Sequence, residues 1–200
     1  MIKPIVVFVI GGPGTGKGTQ CKLLAKDFGM IHLSIGDILR EQRKKDTNEA
    51  KVLDKYMTEY EKTGRLMPTK YILKVIKTAM QEMGWEKNIY LLDGFIKTLE
   101  MAKEWDDELG DSVEVKRVIY FTCPLNVMEE RLLSRGKKEN RGDDNPETIK
   151  KRFKLFNDQM EKVVDYYRNR SLLTTIHSDD SIQEVYVESK CALKLAMGWY

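Results

Sequence analysis

Cysteine is scarce in this chain. Three are spread along it, Cys21, Cys123 and Cys191, with no CxxC pair among them, so neither a disulfide framework nor a zinc site is expected. They read as small buried or half-buried side chains in a reducing compartment, the cytosol. Excess charge is also lacking. The 34 basic and 31 acidic residues leave a net charge of +3, which speaks against a general nucleic-acid binder and still permits a local basic cleft for a small polyanion. No apolar run is long enough to span a bilayer. Residues 1–3 and 4–10 have the outline of a basic segment before a short apolar one. No A-x-A site follows; a glycine-rich loop with a lysine does, so 4–10 reads as a buried strand and the protein as soluble. Repeats and low-complexity linkers are absent. There are two histidines, His32 and His177; each lies in strand-like apolar sequence and reads as structural rather than as a general base.

Hydrophobic residues make up 42% of the 200 residues, enough for the core of one domain with small inserts. The apolar, Val- and Ile-rich segment 4–10 has the pattern of a parallel strand buried on both faces. Further strands are expected at 30–33, 88–92, 115–123 and 172–177. Helices are expected at 16–28, 37–45, 49–62, 68–83, 98–109, 125–133, 146–169 and 181–195. The polar stretch 134–145 holds Arg135, Lys137, Lys138 and Arg141 beside Asp143 and Asp144 and reads as a mobile loop or flap. Strands alternating with helices point to an α/β fold, a parallel sheet covered on both faces.

Residues 11–19 carry the strongest chemical signal: Gly11, four residues, then Gly16-Lys17, with Thr19 two after the lysine. Glycines let the backbone wrap an anion and turn N–H groups toward it, and a helix beginning there adds its positive end. Lys17 supplies a full charge for the outer phosphates. The usual motif has Ser or Thr directly after the lysine; here Gly18 intervenes. A second signal is Asp93 at the end of an apolar strand, where phosphate-loop enzymes keep a carboxylate near Mg²⁺. A third is a distributed set of cations near strand ends and the flap: Arg40, Arg65, Lys97, Arg131, Arg135, Arg141 and Arg152. Phosphoryl transfer spreads negative charge over equatorial oxygens, and permanently charged guanidinium forks suit that charge.

Taken together, GGPGTGKGTQ at 11–20, HLSIGDILR at 32–40, GRLMP at 64–68, DGF at 93–95, RLLSRG at 131–136 and RGDDNPETIKKR at 141–152 resemble the adenylate kinase and UMP-CMP kinase family of nucleoside monophosphate kinases. The resemblance covers nearly the whole chain. It implies a five-stranded parallel sheet of the P-loop NTPase type, an acceptor-binding insert at 34–67 and a short, cysteine-free lid at 134–145. It implies that Gly14, Thr15, Gly16, Lys17, Gly18 and Thr19 bind ATP phosphates, with Arg131, Arg135 and Asp180 also on the ATP side. Asp93, through water, and Thr19 would serve Mg²⁺. The acceptor side would comprise Ile35, Arg40, Arg65, Leu66, Met67, Gly94, Phe95, Ile96, Lys97 and Met101. Arg141 and Arg152 would bridge the reacting phosphates, and Lys17, Arg131, Arg135, Arg141 and Arg152 together would form the catalytic set.

The chain departs from the family at three places. DGFPR is replaced by Asp93-Gly94-Phe95-Ile96-Lys97; Met101 stands where adenylate kinases carry a base-reading Gln; Ile35 stands where they carry Thr and UMP-CMP kinases usually Ala. The opening segment and the LR-x-x-RK run after Asp37 look more like UMP-CMP kinases. The expected activity is transfer of the γ-phosphoryl group of ATP to UMP or CMP by a cytoplasmic monomer, with AMP as the second acceptor reading. A small-metabolite kinase on the same scaffold, or a nucleotide-binding regulatory module without turnover, are the rivals; the substitutions at Ile96, Lys97 and Met101 are the support for the latter.

Overall fold

The computed structural model describes residues 3–86, 88–139 and 143–199. Five strands, β1 (Ile5–Gly11), β2 (Ile31–Ser34), β3 (Ile89–Asp93), β4 (Glu114–Thr122) and β5 (Leu173–His177), form one all-parallel sheet in the order β2-β3-β1-β4-β5. Among the described residues the strands alternate with α1 (Lys17–Phe28), α2 (Ile35–Arg43), α3 (Asn48–Thr63), α4 (Thr69–Glu82), α5 (Leu99–Leu109), α6 (Leu125–Glu139), α7 (Pro146–Arg168) and α8 (Ile182–Met197).

The central strand shows why the sheet is covered twice. Side chains alternate across a strand, so Val6, Phe8 and Ile10 join one core while Val7 and Val9 join the other. The first core packs against α2, α3, α4, α5 and α7, and the second against α1 and α8. In the first, Phe8 meets Trp105 edge-on with ring centroids 4.9 Å apart, and Phe95 lies 5.6 Å from the same indole. That aromatic cluster fixes the backbone just after β3. The chain leaves β1 for β2 and β3 on one side and returns for β4 and β5 on the other. A topological switch point therefore lies at β1, and ligands of open parallel sheets bind outside the carboxyl ends there. Pairing of Val9 with Asp93 puts the ends of β1 and β3 side by side at that place.

Local signals set the helix starts. The side chains of Thr47, Thr98, Asn145 and Ser181 accept N-cap hydrogen bonds at α3, α5, α7 and α8, each satisfying an otherwise orphaned N–H. The largest difference from the sequence expectation concerns 134–145. α6 runs on to Glu139, so the first half of the expected loop is helical. Its polarity misled because this helix buries only Met128 and Leu132, and a surface helix turns its remaining faces to water. α2 also starts earlier than 37, at Ile35, whose side chain is buried. His177 is exposed at the end of β5 rather than enclosed in apolar surroundings. Among the described residues no helix is long and apolar enough to cross a membrane.

Candidate active site

The carboxyl ends of β1 and β3 open into a cavity of about 890 Å³, the size of a small-molecule site. One wall is the turn between β1 and α1. Gly14 (φ 89°) and Gly16 (φ 83°) adopt left-handed backbone there, and a Cβ on Gly14 would lie 2.5 Å from the Met128 carbonyl oxygen. Only glycine permits that turn at that depth. Gly16 caps α1 with no side-chain hydrogen bond, so the first-turn amides and the helix dipole face the cavity. Lys17 Nζ donates to the carbonyls of Gly11 (3.0 Å) and Gly12 (2.7 Å) and to Thr15 Oγ1 (3.3 Å). Burial pulls its pKa down from 10.5 to about 8; Arg152 pulls the same way and Asp93 opposes.

The opposite wall comes from α2, α3 and the segment after β3. Ile35, Leu66 and Met67 line it, with Gly94, Phe95, Ile96 and Lys97. Arg40 reaches the cavity beside Gly36, where a Cβ would come within 3.2 Å of the guanidinium, and it pairs with Asp37 at 2.5 Å. Lys97 sits with its ammonium 5.0 Å from the ring centroid of Tyr60.

Arg135 and Arg152 also line the cavity, close enough to Lys17 for their charges to act on it. Asp144, whose side chain is wholly buried, holds both: Arg135 donates through Nε (2.7 Å) and Nη2 (2.9 Å), and Arg152 through Nη1 (2.9 Å). Arg152 also donates to Asp143 Oδ2 at 2.9 Å. Burial alone would raise the Asp144 pKa; the hydrogen bonds and charge of Arg135, then Arg152, outweigh it and hold the carboxyl below its ordinary value. The sequence placed Asp144 beside the flap cations without giving it a role, because that role exists only where α6 and α7 meet.

Asp93 is buried at the cavity floor. It meets His32 Nε2 at 3.3 Å, and its Oδ2 lies 3.5 Å from where a Cβ on Gly18 would stand. His32 is thus a neighbour of the carboxylate rather than a purely apolar-strand residue. Cys21, His32 and Asp93 bring one donor atom each within 4.8 Å of one another. Burial, then the Asp93 charge, pushes the Cys21 thiol well above its ordinary pKa, which keeps it protonated and a poor ligand. Among the residues that line the cavity near the turn, Asp93 and Thr19 offer a carboxylate and a hydroxyl. Such hard oxygen ligands suit Mg²⁺.

The fold brings most of the expected residues to this one cavity, including Gly14, Gly16, Lys17, Gly18 and Thr19. Five stand elsewhere. Thr15 is buried beneath the turn, its hydroxyl donating to the Gly12 carbonyl at 2.9 Å. Arg65 is exposed and pairs with Glu59 at 3.2 Å. Met101 is 3% exposed within the core. Arg131 donates to the Ser178 carbonyl at 2.7 Å and lines a shallow neighbouring groove with Arg135. Asp180 is exposed after β5. Arg141 lies outside the described residues.

Comparison with known proteins gives the family. The adenylate kinase family model matches residues 9–172. A uridylate kinase of Saccharomyces cerevisiae is 37% identical over 190 residues, 94% of this chain and 90% of that protein. The UMP-CMP kinase of Mus musculus is 34% identical over 191 residues, 94% and 95% of the two chains. UMP-CMP kinase 3 of Arabidopsis thaliana is 38% identical over 188 residues, 94% and 88%. The parallel sheet, the glycine turn ahead of α1 and this extended similarity lead to one conclusion: the chain belongs to the adenylate kinase family.

Proposed function

We propose that this protein transfers the γ-phosphoryl group of ATP to UMP or CMP, giving ADP and the nucleoside diphosphate. The observation that carries the reading is one cavity lined by the glycine-rich turn with Lys17, by Arg40 and Lys97, and by Arg135 and Arg152. The relatives named uridylate kinase and UMP-CMP kinase support the acceptor class. A phosphate oxygen of the monophosphate attacks the γ-phosphorus while the bond to the β,γ-bridging oxygen breaks, and ADP leaves with that electron pair. The acceptor oxygen is already ionised at neutral pH, so no general base is required. Catalysis then rests on alignment and on cations aimed at the equatorial oxygens. Lys17 and the α1 amides hold the donor phosphates, Arg40 and Lys97 the acceptor phosphate, and Arg135 and Arg152 the group in flight.

Mg²⁺ bound near Asp93, through water, and Thr19 would neutralise part of the phosphate charge. Residues 134–145 are proposed as the lid and 34–67 as the acceptor insert; closure would exclude water, the competing acceptor. The three free cysteines suit a reducing compartment, and the reading extends to a cytoplasmic monomer.

A coupled assay of ADP formation with UMP, CMP, AMP and GMP in parallel tests the proposal. UMP and CMP are expected to give the highest kcat/KM. A preference for AMP would move the assignment to adenylate kinase, and no transfer to any of the four would overturn it.

The Lys17 pKa leads to a pH prediction. In the empty enzyme the ammonium deprotonates near pH 8, so kcat/KM for ATP should fall above about pH 8. Bound phosphate favours the charged form, so kcat, which reports the complex, should hold to higher pH. Profiles of both parameters from pH 6 to 10 check this; coincident alkaline limbs would contradict it.

A further inference from the structure

Lys97 is where this chain departs from a guanidinium, and its surroundings suggest how an ammonium serves there. Phe95 and Ile96, at 1% and 2% exposure, anchor the preceding backbone in the core. Thr98 caps α5 immediately after. The Lys97 stem thus leaves a fixed point, and its flexible four-carbon chain needs a second constraint to place the ammonium. Its ammonium lies over the face of Tyr60, in the last turns of α3, where the Tyr60 carbonyl accepts the capping N–H of Gly64 at 2.8 Å. Both side chains line the cavity. Arg40, Arg135 and Arg152 each engage a carboxylate, whereas the Lys97 ammonium meets an aromatic ring.

We propose that Tyr60 is a positioning residue for Lys97: its ring face holds the ammonium at the acceptor wall and leaves the N–H donors available to the acceptor phosphate. A guanidinium gets its orientation from a planar fork, while an ammonium is a compact charge on a flexible stem. The aromatic face supplies the missing constraint. It attracts a cation through its quadrupole without consuming a hydrogen-bond donor or neutralising the charge, as a carboxylate would. The inference rests on the reading of Lys97 as an acceptor-phosphate ligand. It adds that α3, part of the acceptor insert, determines where that cation stands.

The test is a double-mutant cycle, with acceptor KM, ATP KM and kcat measured for Tyr60→Leu, Lys97→Ala and the pair. Tyr60→Leu should raise the acceptor KM by about threefold to tenfold and leave the ATP KM nearly unchanged. Tyr60→Phe, which keeps the ring face, should recover the acceptor KM to within about twofold and controls for folding. In the Lys97→Ala background, Tyr60→Leu should add nothing. An equal KM rise in that background would mean that Tyr60 acts on the acceptor directly, and would overturn the proposal. So would a fall in acceptor KM on Tyr60→Leu, which would mean that the ring sequesters the ammonium. If Lys97→Ala leaves both acceptor KM and kcat unchanged, the reading of Lys97 itself is wrong and the proposal falls with it.

Discussion

Lys17→Ala is expected to lower kcat on the order of 10³-fold or more, because a charge aimed at transferring phosphate in a water-poor site is among the largest contributions to such catalysis. The fold should survive. Burial depresses the Lys17 pKa to about 8 from 10.5, so between those values the unfolded chain holds more protons than the native one. Below about pH 8 the buried charge therefore opposes folding, and this opposition fades as pH rises through the window. At pH 7 the alanine variant should melt no lower than the parent by more than a few degrees, despite losing the hydrogen bonds to Gly11 and Gly12. Thermal melts with steady-state kinetics decide it. Activity within tenfold of the parent, with an unchanged circular dichroism spectrum, would remove Lys17 from the account.

Arg152→Ala should have the second large effect. Arg152 enters the cavity from α7 and is held at 2.9 Å by both Asp143 and Asp144. An arginine that meets the charge of a transferring phosphoryl group contributes roughly 10³-fold or more to kcat. The loss should appear in kcat with the ATP KM changed little, since the contact strengthens only as the phosphoryl group moves. Arg152→Lys should recover little, because a lysine keeps the charge and loses the planar fork. Asp144 retains its two bonds from Arg135, so the local structure should persist. A kcat within tenfold of the parent would assign Arg152 to holding α6 against α7 rather than to chemistry.

The parts of this site that were legible in the sequence are those whose chemistry is contiguous. The turn of residues 11–19 puts glycines, lysine and hydroxyl within one loop, and the apolar run before it and the helical pattern after it set its geometry. Asp93 was legible because a strand end is a local event. Ser134–Glu139 was misread as loop because polarity alone does not separate a loop from a helix that buries two side chains. Arg65 is adjacent in sequence to the cavity-lining Leu66 and Met67, yet its side chain points outward to Glu59; adjacency gives no direction. Asp144 lay inside the 141–152 motif but without a role, and Tyr60 carried no signal, since each acquires meaning from residues on other elements: Arg135 and Arg152 for the first, Lys97 for the second.

Following the label from [γ-³²P]ATP in the presence of Mg²⁺ and UMP separates transfer to the monophosphate from hydrolysis of ATP. The label is expected in the β-position of UDP, one UDP for each ADP, with little inorganic phosphate. Label released mainly as inorganic phosphate, or kept in ATP at saturating UMP and CMP, would contradict that transfer.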